Sequence, residues 1–136
     1  IEEQAARQGM LVNRVDGIGD VVVPSIIRRG PVTIAISSMG TSPALSKYIR
    51  IKLERDLTDD YSAMARLLGE MRQELKATVP QQHARADILW KILSDQEVWH
   101  LLGESYEKAY MRAREHAAQD ERDSLDAGDP PQGLHR

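Results

Sequence analysis

The residues with the clearest chemical potential form a polar loop, from Ser37 to Ser42, in a chain of 136 residues. The loop follows a β-branched run and precedes Pro43, which is well suited to the first turn of a helix. A loop that opens a helix directs backbone N–H groups to one place, where the helix dipole favours an anion. The pattern predicts a cradle for a carboxylate, but it is equally typical of a capped turn. The predicted contacts are Ser37, Ser38, Gly40, Thr41 and Ser42.

A second candidate is Asp16, which follows a short apolar run from Met10 to Val15. If this run is a buried parallel strand, Asp16 lies at the edge of the sheet where ligands bind in open α/β folds. It could act there as a general base or a metal ligand, although an Asp that caps the following loop has the same pattern. Asn13, within the run, is either a substrate-facing amide or an ordinary strand residue.

Basic side chains flank the polar loop and could bind the carboxylates of a substrate. Surface charges that only face solvent have the same pattern, so the sequence leaves both interpretations open. The residues are Arg28, Arg29, Lys47, Arg50 and Lys52. We take Arg28 and Lys47 as the predicted substrate contacts.

The aromatic and histidine residues give weaker signals. Trp90 and Trp99 are predicted to anchor a helical core, because no basic patch surrounds them as it would around a base-stacking platform. The histidines lack the i, i+4 spacing of a helical zinc site and are interpreted as surface or packing residues. They are His83, His100, His116 and His135.

The elements that would position the polar loop are a hairpin before it and a helix after it. The residues from Val21 to Ile27, interrupted by Pro24, and those from Val32 to Ile36 are β-branched runs separated by Gly30-Pro31. An isolated hairpin is marginally stable in water, so we expect it to pair with a second copy of the chain.

The rest of the chain is predicted to be helical. The first helix begins at Pro43, with Thr41 or Ser42 as its cap, and ends near Asp56. Three further helices are predicted, from Thr58 or Asp59 to Val79-Pro80, from about Gln82 to Leu93, and from Ser94 or Asp95 to about Ala118. Residues 119–136 are polar and rich in Gly and Pro, and we expect a disordered tail there.

Composition restricts the classes of partner. The net charge of −3 gives no general attraction to nucleic acids or acidic lipids, and no apolar run approaches the roughly 20 residues that span a bilayer. The chain has no cysteine, which excludes disulfides and is compatible with a cytoplasmic location. Residues 1–8 are typical of the end of a helix closed by Gly9, so we expect the chain to be the C-terminal part of a longer protein.

Three motifs, in this order, resemble the bifunctional precorrin-2 dehydrogenase/sirohydrochlorin ferrochelatase family of siroheme biosynthesis. They run from Leu11 to Asp16, from Val23 to Pro31 and from Ile34 to Leu45. The resemblance is close over residues 1–57 and continues by position and pattern to about Leu102.

The resemblance implies an α+β chain with three parts. Residues 1–20 would be the end of a Rossmann domain, residues 21–57 a dimerisation segment, and residues 58–118 a helical domain before the tail at 119–136. The Gly-rich fingerprint for NAD does not occur in this sequence and would lie upstream of Ile1. The chain alone is therefore expected not to oxidise precorrin-2.

The resemblance also implies roles for individual residues. It assigns catalysis to Asp16, as proton acceptor both in the NAD-dependent oxidation and in the insertion of Fe²⁺, which makes Asp16 the possible metal contact. The loop from Ser37 to Ser42 would face the carboxylates of the tetrapyrrole, with Ser38 as the foremost hydroxyl, in a homodimer. Two features depart from the family: Met39 stands where Gly is usual, and the loop from Asp16 to Pro24 is short.

Two other functions fit parts of the pattern. One is a dimerising tetrapyrrole-binding module without catalysis, which would keep the shape and not the reaction. The other is a phosphosugar-binding domain, because a Ser/Thr/Gly loop that opens a helix also suits a phosphate. The second would need a larger parallel sheet around the loop than the helical second half of the sequence supplies.

Overall fold

The computed structural model describes residues 23–126, which belong to two compact units that divide between Asp59 and Asp60. The described part of the first unit is a β-hairpin followed by one helix, and that of the second is four helices. The predicted α+β class is confirmed. The predicted strand at residues 10–15, Asn13 and Asp16 lie outside the described residues.

The hairpin consists of β1 (Ser25–Arg29) and β2 (Val32–Ile36), which pair antiparallel. The prediction that the first strand runs from Val21 through Pro24 to Ile27 is wrong in its bounds, since β1 begins after Pro24 and continues to Arg29. Proline has no N–H to give to a sheet, which explains why regular pairing starts after it. Gly30 has a φ of 55°, a left-handed conformation that glycine adopts without strain, and it makes the turn.

Helix α1 (Pro43–Asp56) follows the loop, with Ser42 as its cap, as predicted. The Oγ of Ser42 accepts a hydrogen bond from the N–H of Leu45. Arg50 and Glu54 form an ion pair one turn apart on this helix, with 2.7 Å between nitrogen and oxygen.

The second unit contains α2 (Asp60–Thr78), α3 (Gln82–Ser94), α4 (Gln96–Glu104) and α5 (Tyr106–Asp126). All four helices contribute fully buried side chains to one core, which is almost entirely aliphatic. The buried residues are Met64, Leu67, Met71, Leu75, Ile88, Ile92, Val98, Ala109 and Ala113.

The predicted fourth helix, from Ser94 or Asp95 to Ala118, is in fact two helices that meet at Ser105. Ser105 is extended, with φ −158° and ψ 116°, and its N–H donates to the Leu101 carbonyl to end α4. Its Oγ then accepts a hydrogen bond from the N–H of Lys108 at 3.4 Å and begins α5. Ser105 therefore ends one helix and caps the next, although the apolar pattern of the sequence is continuous across it.

The expected disordered tail from residue 119 is wrong for its first part, because α5 continues to Asp126. Asp120 accepts a hydrogen bond from the Lys91 ammonium of α3 at 2.7 Å, and Gln119 donates to Asp123 at 3.0 Å within the helix. These contacts hold a polar stretch that has little apolar surface of its own.

The prediction that both tryptophans anchor the core is half right. Trp99 is half-buried, its Nε1 donates to the Leu93 carbonyl at 2.8 Å, and its ring lies 5.0 Å from that of Tyr61. Trp90 is 65% exposed, because α3 turns the side of Ile88 and Ile92 towards the core. Among the described helices, none has the length and apolarity to cross a membrane.

A partly buried carboxylate, that of Asp95, joins α4 to α5. Asp95 caps α4 by accepting from the Glu97 N–H at 2.9 Å, and its Oδ2 lies 2.9 Å from Nε of Arg112 and 2.8 Å from Nε2 of His116. Burial raises the pKa of Asp95, but the hydrogen bonds from His116, Glu97 and Arg112 outweigh this and hold it below its ordinary value. The Arg112 guanidinium also pairs with Glu115.

Replacing Asp95 should therefore destabilise the helical unit in two separable steps. Asp95→Ala removes both the cap and the charge and should cost about 2 kcal/mol, while Asp95→Asn keeps a capping oxygen and should cost less. Because the folded pKa is lowered, the contribution of the charge is complete above pH 3.8 and is lost as the pH falls through the folded value.

Urea unfolding followed by tryptophan fluorescence at pH 7 and pH 3 measures both effects, with the exposed Asp87→Asn as control. The cost of Asp95→Asn should shrink at pH 3. An unchanged cost at the two pH values would contradict the assignment.

Candidate functional site

The predicted loop is built around a tight turn that reverses the chain between β2 and α1. Met39 and Gly40 both have positive φ, 52° and 78°, and the Thr41 N–H donates to the Ser38 carbonyl at 3.0 Å. Two successive left-handed residues inside such a hydrogen bond define a type I′ turn, which favours Asn-Gly or Gly-Gly. Met39 is thus a side chain held in a conformation that costs an ordinary residue about 1–2 kcal/mol.

The serine hydroxyls bond to the backbone of the loop. Ser37 Oγ accepts from the Met39 N–H at 3.0 Å, and Ser38 Oγ accepts from the Ser42 N–H at 3.0 Å. Ser42 in turn caps α1 through the Leu45 N–H at 3.3 Å. Several N–H groups that we expected to face a ligand are therefore bonded inside the loop, as the capped-turn interpretation requires.

The hydroxyls nevertheless retain a capacity for binding. A serine oxygen that accepts from an N–H still carries its own hydrogen, which it can donate. Ser38 and Ser42 are half-buried, whereas Ser37 and Thr41 are exposed, so the loop presents O–H donors at the start of a helix. Donors of this kind suit a carboxylate, since charge-assisted hydrogen bonds are the stronger ones.

The basic residues predicted to bind substrate are not all brought to the loop. Lys47 is exposed in the second turn of α1, close in sequence to the Ser42 cap. Arg28 is exposed in β1 and pairs with Thr33, which precedes Ser37 by about 13 Å of extended strand. Within one copy of the chain Arg28 therefore lies towards the Gly30 end of the hairpin and away from the loop.

Arg29 has a role that sequence reading did not separate from that of Arg28. Its Nε donates to the Leu57 carbonyl at 2.7 Å and its Nη2 to the Glu54 carbonyl at 3.4 Å, both at the C-terminal end of α1. Its Nη1 donates to the carbonyl of Arg28 at 2.9 Å. The alternation of the strand was the available signal, since it places neighbouring residues on opposite faces.

The described residues do not form a site for a dinucleotide or a resident metal. The sheet in residues 23–126 is a two-stranded antiparallel hairpin, without the parallel strands and Gly-rich turn that hold a pyrophosphate. In the same residues no group of three or more His, Cys, Asp or Glu could hold a metal ion. The predicted NAD site and the possible metal contact at Asp16 therefore concern residues beyond those described.

A seam of tyrosine and glutamate side chains lies between α2 and α5. The Tyr106 hydroxyl donates to Glu70 at 2.8 Å, and the Tyr110 hydroxyl donates to Glu74. Burial, followed by the hydrogen bond to Glu70, raises the pKa of Tyr106 to about 12. Arg66 pairs with Glu70 and lies 4.3 Å from the Tyr106 ring. This seam ties two helices together through neutral phenols.

Comparison with known proteins identifies relatives of this arrangement. The family described as "Sirohaem biosynthesis protein central" matches residues 29–56, which include β2, the loop and α1. A precorrin-2 dehydrogenase of Methanosarcina barkeri is 49% identical over 109 residues, which cover 80% of this chain and 49% of that protein. A siroheme synthase of Methylococcus capsulatus is 31% identical over 123 residues, 87% of this chain and 26% of that protein.

A solved structure gives the same indication. The structure of SirC, a precorrin-2 dehydrogenase, superposes with a TM-score of 0.60 at 25% identity, over 88% of this chain and 59% of that one. The chain thus spans about half or less of the curated relatives named above.

The turn itself gives a testable prediction. Met39→Asn should stabilise the hairpin unit by about 0.5–1 kcal/mol, because Asn tolerates the left-handed conformation and Met39, at 68% exposed, loses little packing. Amide hydrogen exchange of the hairpin residues measures this change. Met111→Asn is the matched control: it replaces another exposed Met inside α5 and should destabilise that helix. Faster exchange in the Met39→Asn hairpin would contradict the prediction.

Proposed function

Because this chain belongs to the precorrin-2 dehydrogenase and siroheme synthase family, we propose that it acts in siroheme biosynthesis as the tetrapyrrole-binding and dimerising part of a precorrin-2 dehydrogenase. One observation carries the proposal: the segment matched by the family, residues 29–56, is the segment that folds into the hydroxyl-bearing loop and its two supporting elements.

The loop would bind the carboxylates that ring a tetrapyrrole. Ser38 would be the central contact, because its oxygen is already fixed by the Ser42 N–H and its hydrogen remains free to donate. Ser37, Thr41 and Ser42 would add further hydroxyls, and Gly40 would let a substrate approach the backbone closely. Lys47 would add a positive charge near the same end of α1.

The other predicted substrate contacts rest on different arguments. Arg28 would reach the substrate only as part of a second copy of the chain, since in its own copy it lies towards the other end of the hairpin. On the strength of the family resemblance, Asp16 would accept a proton from precorrin-2. Asn13, which precedes it in the predicted strand, would contact the substrate through its amide. Both residues precede the described part of the chain.

The complete reaction would need parts beyond the described residues. We propose that the oxidation uses NAD, that Fe²⁺ is a substrate if the protein also inserts the metal, and that the enzyme acts in the cytoplasm. The sequence contains no dinucleotide fingerprint, so the chain alone would bind the tetrapyrrole without oxidising precorrin-2. A non-catalytic tetrapyrrole-binding module, the alternative function, would likewise bind the tetrapyrrole without turnover.

Homodimer formation is supported by the apolar surface of the first unit. On α1, Leu45, Tyr48 and Ile51 share one face and are 51%, 60% and 42% exposed. On the hairpin, Ile26 and Ala35 are opposite one another on the exposed face. A two-stranded sheet of this size is marginal alone, and a second copy would cover these side chains.

Removing the central hydroxyl tests the binding site. Ser38→Ala should weaken sirohydrochlorin binding about tenfold, the size expected for one hydrogen bond to a charged group, whereas Ser38→Thr should change it by about twofold or less because it keeps the hydroxyl. Titration of the ligand's absorbance gives the Kd. Ser105→Ala is the matched control, since it removes a capping serine from the helical unit. Equal Kd values for Ser38→Ala and the unmodified chain would reject the site.

Introducing charge on the apolar face tests the dimer. Tyr48→Glu should convert the protein to a monomer, because burying a carboxylate between two copies costs more in lost hydration than the nearby Lys52 ammonium returns. Light scattering coupled to size-exclusion chromatography measures the mass. Trp90→Glu, which charges an equally exposed aromatic residue of the helical unit, should leave the mass unchanged. A monomeric unmodified chain, or a Tyr48→Glu variant that remains dimeric, would contradict this interface.

A further inference from the structure

Arg29 connects the hairpin to the far end of the helix that begins at the polar loop. Its guanidinium donates to the carbonyls of Leu57 and Glu54, while the side chain is only 26% exposed. The carbonyls at a helix C-terminus lack intrahelical partners and carry the negative end of the dipole, so a fixed cation is favourable there. The nearby carboxylate of Asp59, at 3.8 Å, is fully exposed and adds little.

The contacts of Arg29 matter because few apolar side chains are buried among residues 23–59. In residues 23–59, Ile27 is the only fully buried apolar side chain, and the buried residue of α1 is the small polar Ser46. Among these described residues, apolar packing therefore does little to fix the direction of α1. The guanidinium fork, with several donors in a rigid plane, can hold two carbonyls at once.

The orientation of α1 also sets the position of the polar loop, because the loop leads directly into the helix. The helix has 14 residues, about 21 Å, with the loop at one end and the Arg29 contacts at the other. Ser42 belongs to both elements, because its N–H bonds to Ser38 and its Oγ to the N–H of Leu45. A helix released at its C-terminal end would change its tilt and move the hydroxyls at its N-terminal end.

We propose that Arg29 is a positioning residue that sets the geometry of the polar loop by clamping the opposite end of α1; this rests on the proposed function only for the identity of the ligand. The side chain of Arg28 has no part in this clamp because it points to the other face of the hairpin, and only the Arg28 carbonyl accepts a hydrogen bond from the Arg29 guanidinium.

The test compares two arginines with the same chemistry. Arg85 donates to the carbonyls of Val79 and Pro80, both at 2.7 Å, in the helical unit. In the 136-residue chain, Arg29→Gln should speed amide exchange at Thr41, Ser42 and Leu45 by about tenfold relative to the hairpin amides, as expected for loss of a charge-assisted hydrogen bond. Arg85→Gln should leave these amides unchanged.

Ligand binding provides the second readout. Arg29→Gln should weaken sirohydrochlorin binding about tenfold, and Arg29→Lys should fall between it and the unmodified chain, because an ammonium keeps the charge and loses the fork. Unchanged amide exchange in the loop would overturn the inference, because Arg29 would then not position the loop. Equal acceleration of loop and hairpin amides would also overturn it, because Arg29 would then stabilise the whole segment. A chain that never binds sirohydrochlorin would overturn the proposed function, and the exchange data would still decide the role of Arg29.

Discussion

The chain reversal at Met39 and Gly40 is the constraint on which the first unit depends. Within a few residues β2 must end, turn and start a helix that returns along the hairpin. Two left-handed residues make this possible, and the hydroxyls of Ser37, Ser38 and Ser42 supply acceptors for the N–H groups that the turn and the helix start leave unpaired. The same atoms that make the turn feasible are those proposed to bind the substrate.

This double use explains why the loop needs external support. A turn with Met in a left-handed conformation stores strain, and such strain persists where surrounding contacts determine the backbone. Here the contacts are the strand pairing of the hairpin on one side and the Arg29 clamp at the far end of α1 on the other. The helical unit differs, because its helices pack on one continuous apolar core. Its polar contacts, centred on Asp95 and on the Tyr106 seam, join helices that already pack together.

Local patterns in the sequence were sufficient to predict much of this structure. The run from Val32 to Ile36, the Pro43 helix start and the Ser42 cap depend on neighbouring residues, so they could be predicted with their bounds. The apolar positions of α2 were also predictable, because Met64, Leu67 and Met71 follow the helical period.

Features that depend on distant contacts could not be predicted. The break at Ser105 lies within a continuous apolar pattern, and α5 continues past residue 118 partly because Lys91 of α3 meets Asp120. The exposure of Trp90 depends on which side of α3 meets the other helices. The role of Arg29 required knowing where α1 ends in space. For the site, sequence indicated the loop, while its internal hydrogen bonds and the separation of Arg28 from it required the fold.

The proposed function depends on the loop from Ser37 to Ser42 binding the carboxylates of a tetrapyrrole. An NMR titration of the ¹⁵N-labelled chain with sirohydrochlorin tests this most directly, with the ester-blocked tetrapyrrole as the comparison. If the loop binds these carboxylates, the amide signals from Met39 to Leu45 shift with the free acid and remain in place with the ester. Shifts confined to the helical unit, or equal shifts with both compounds, would contradict it.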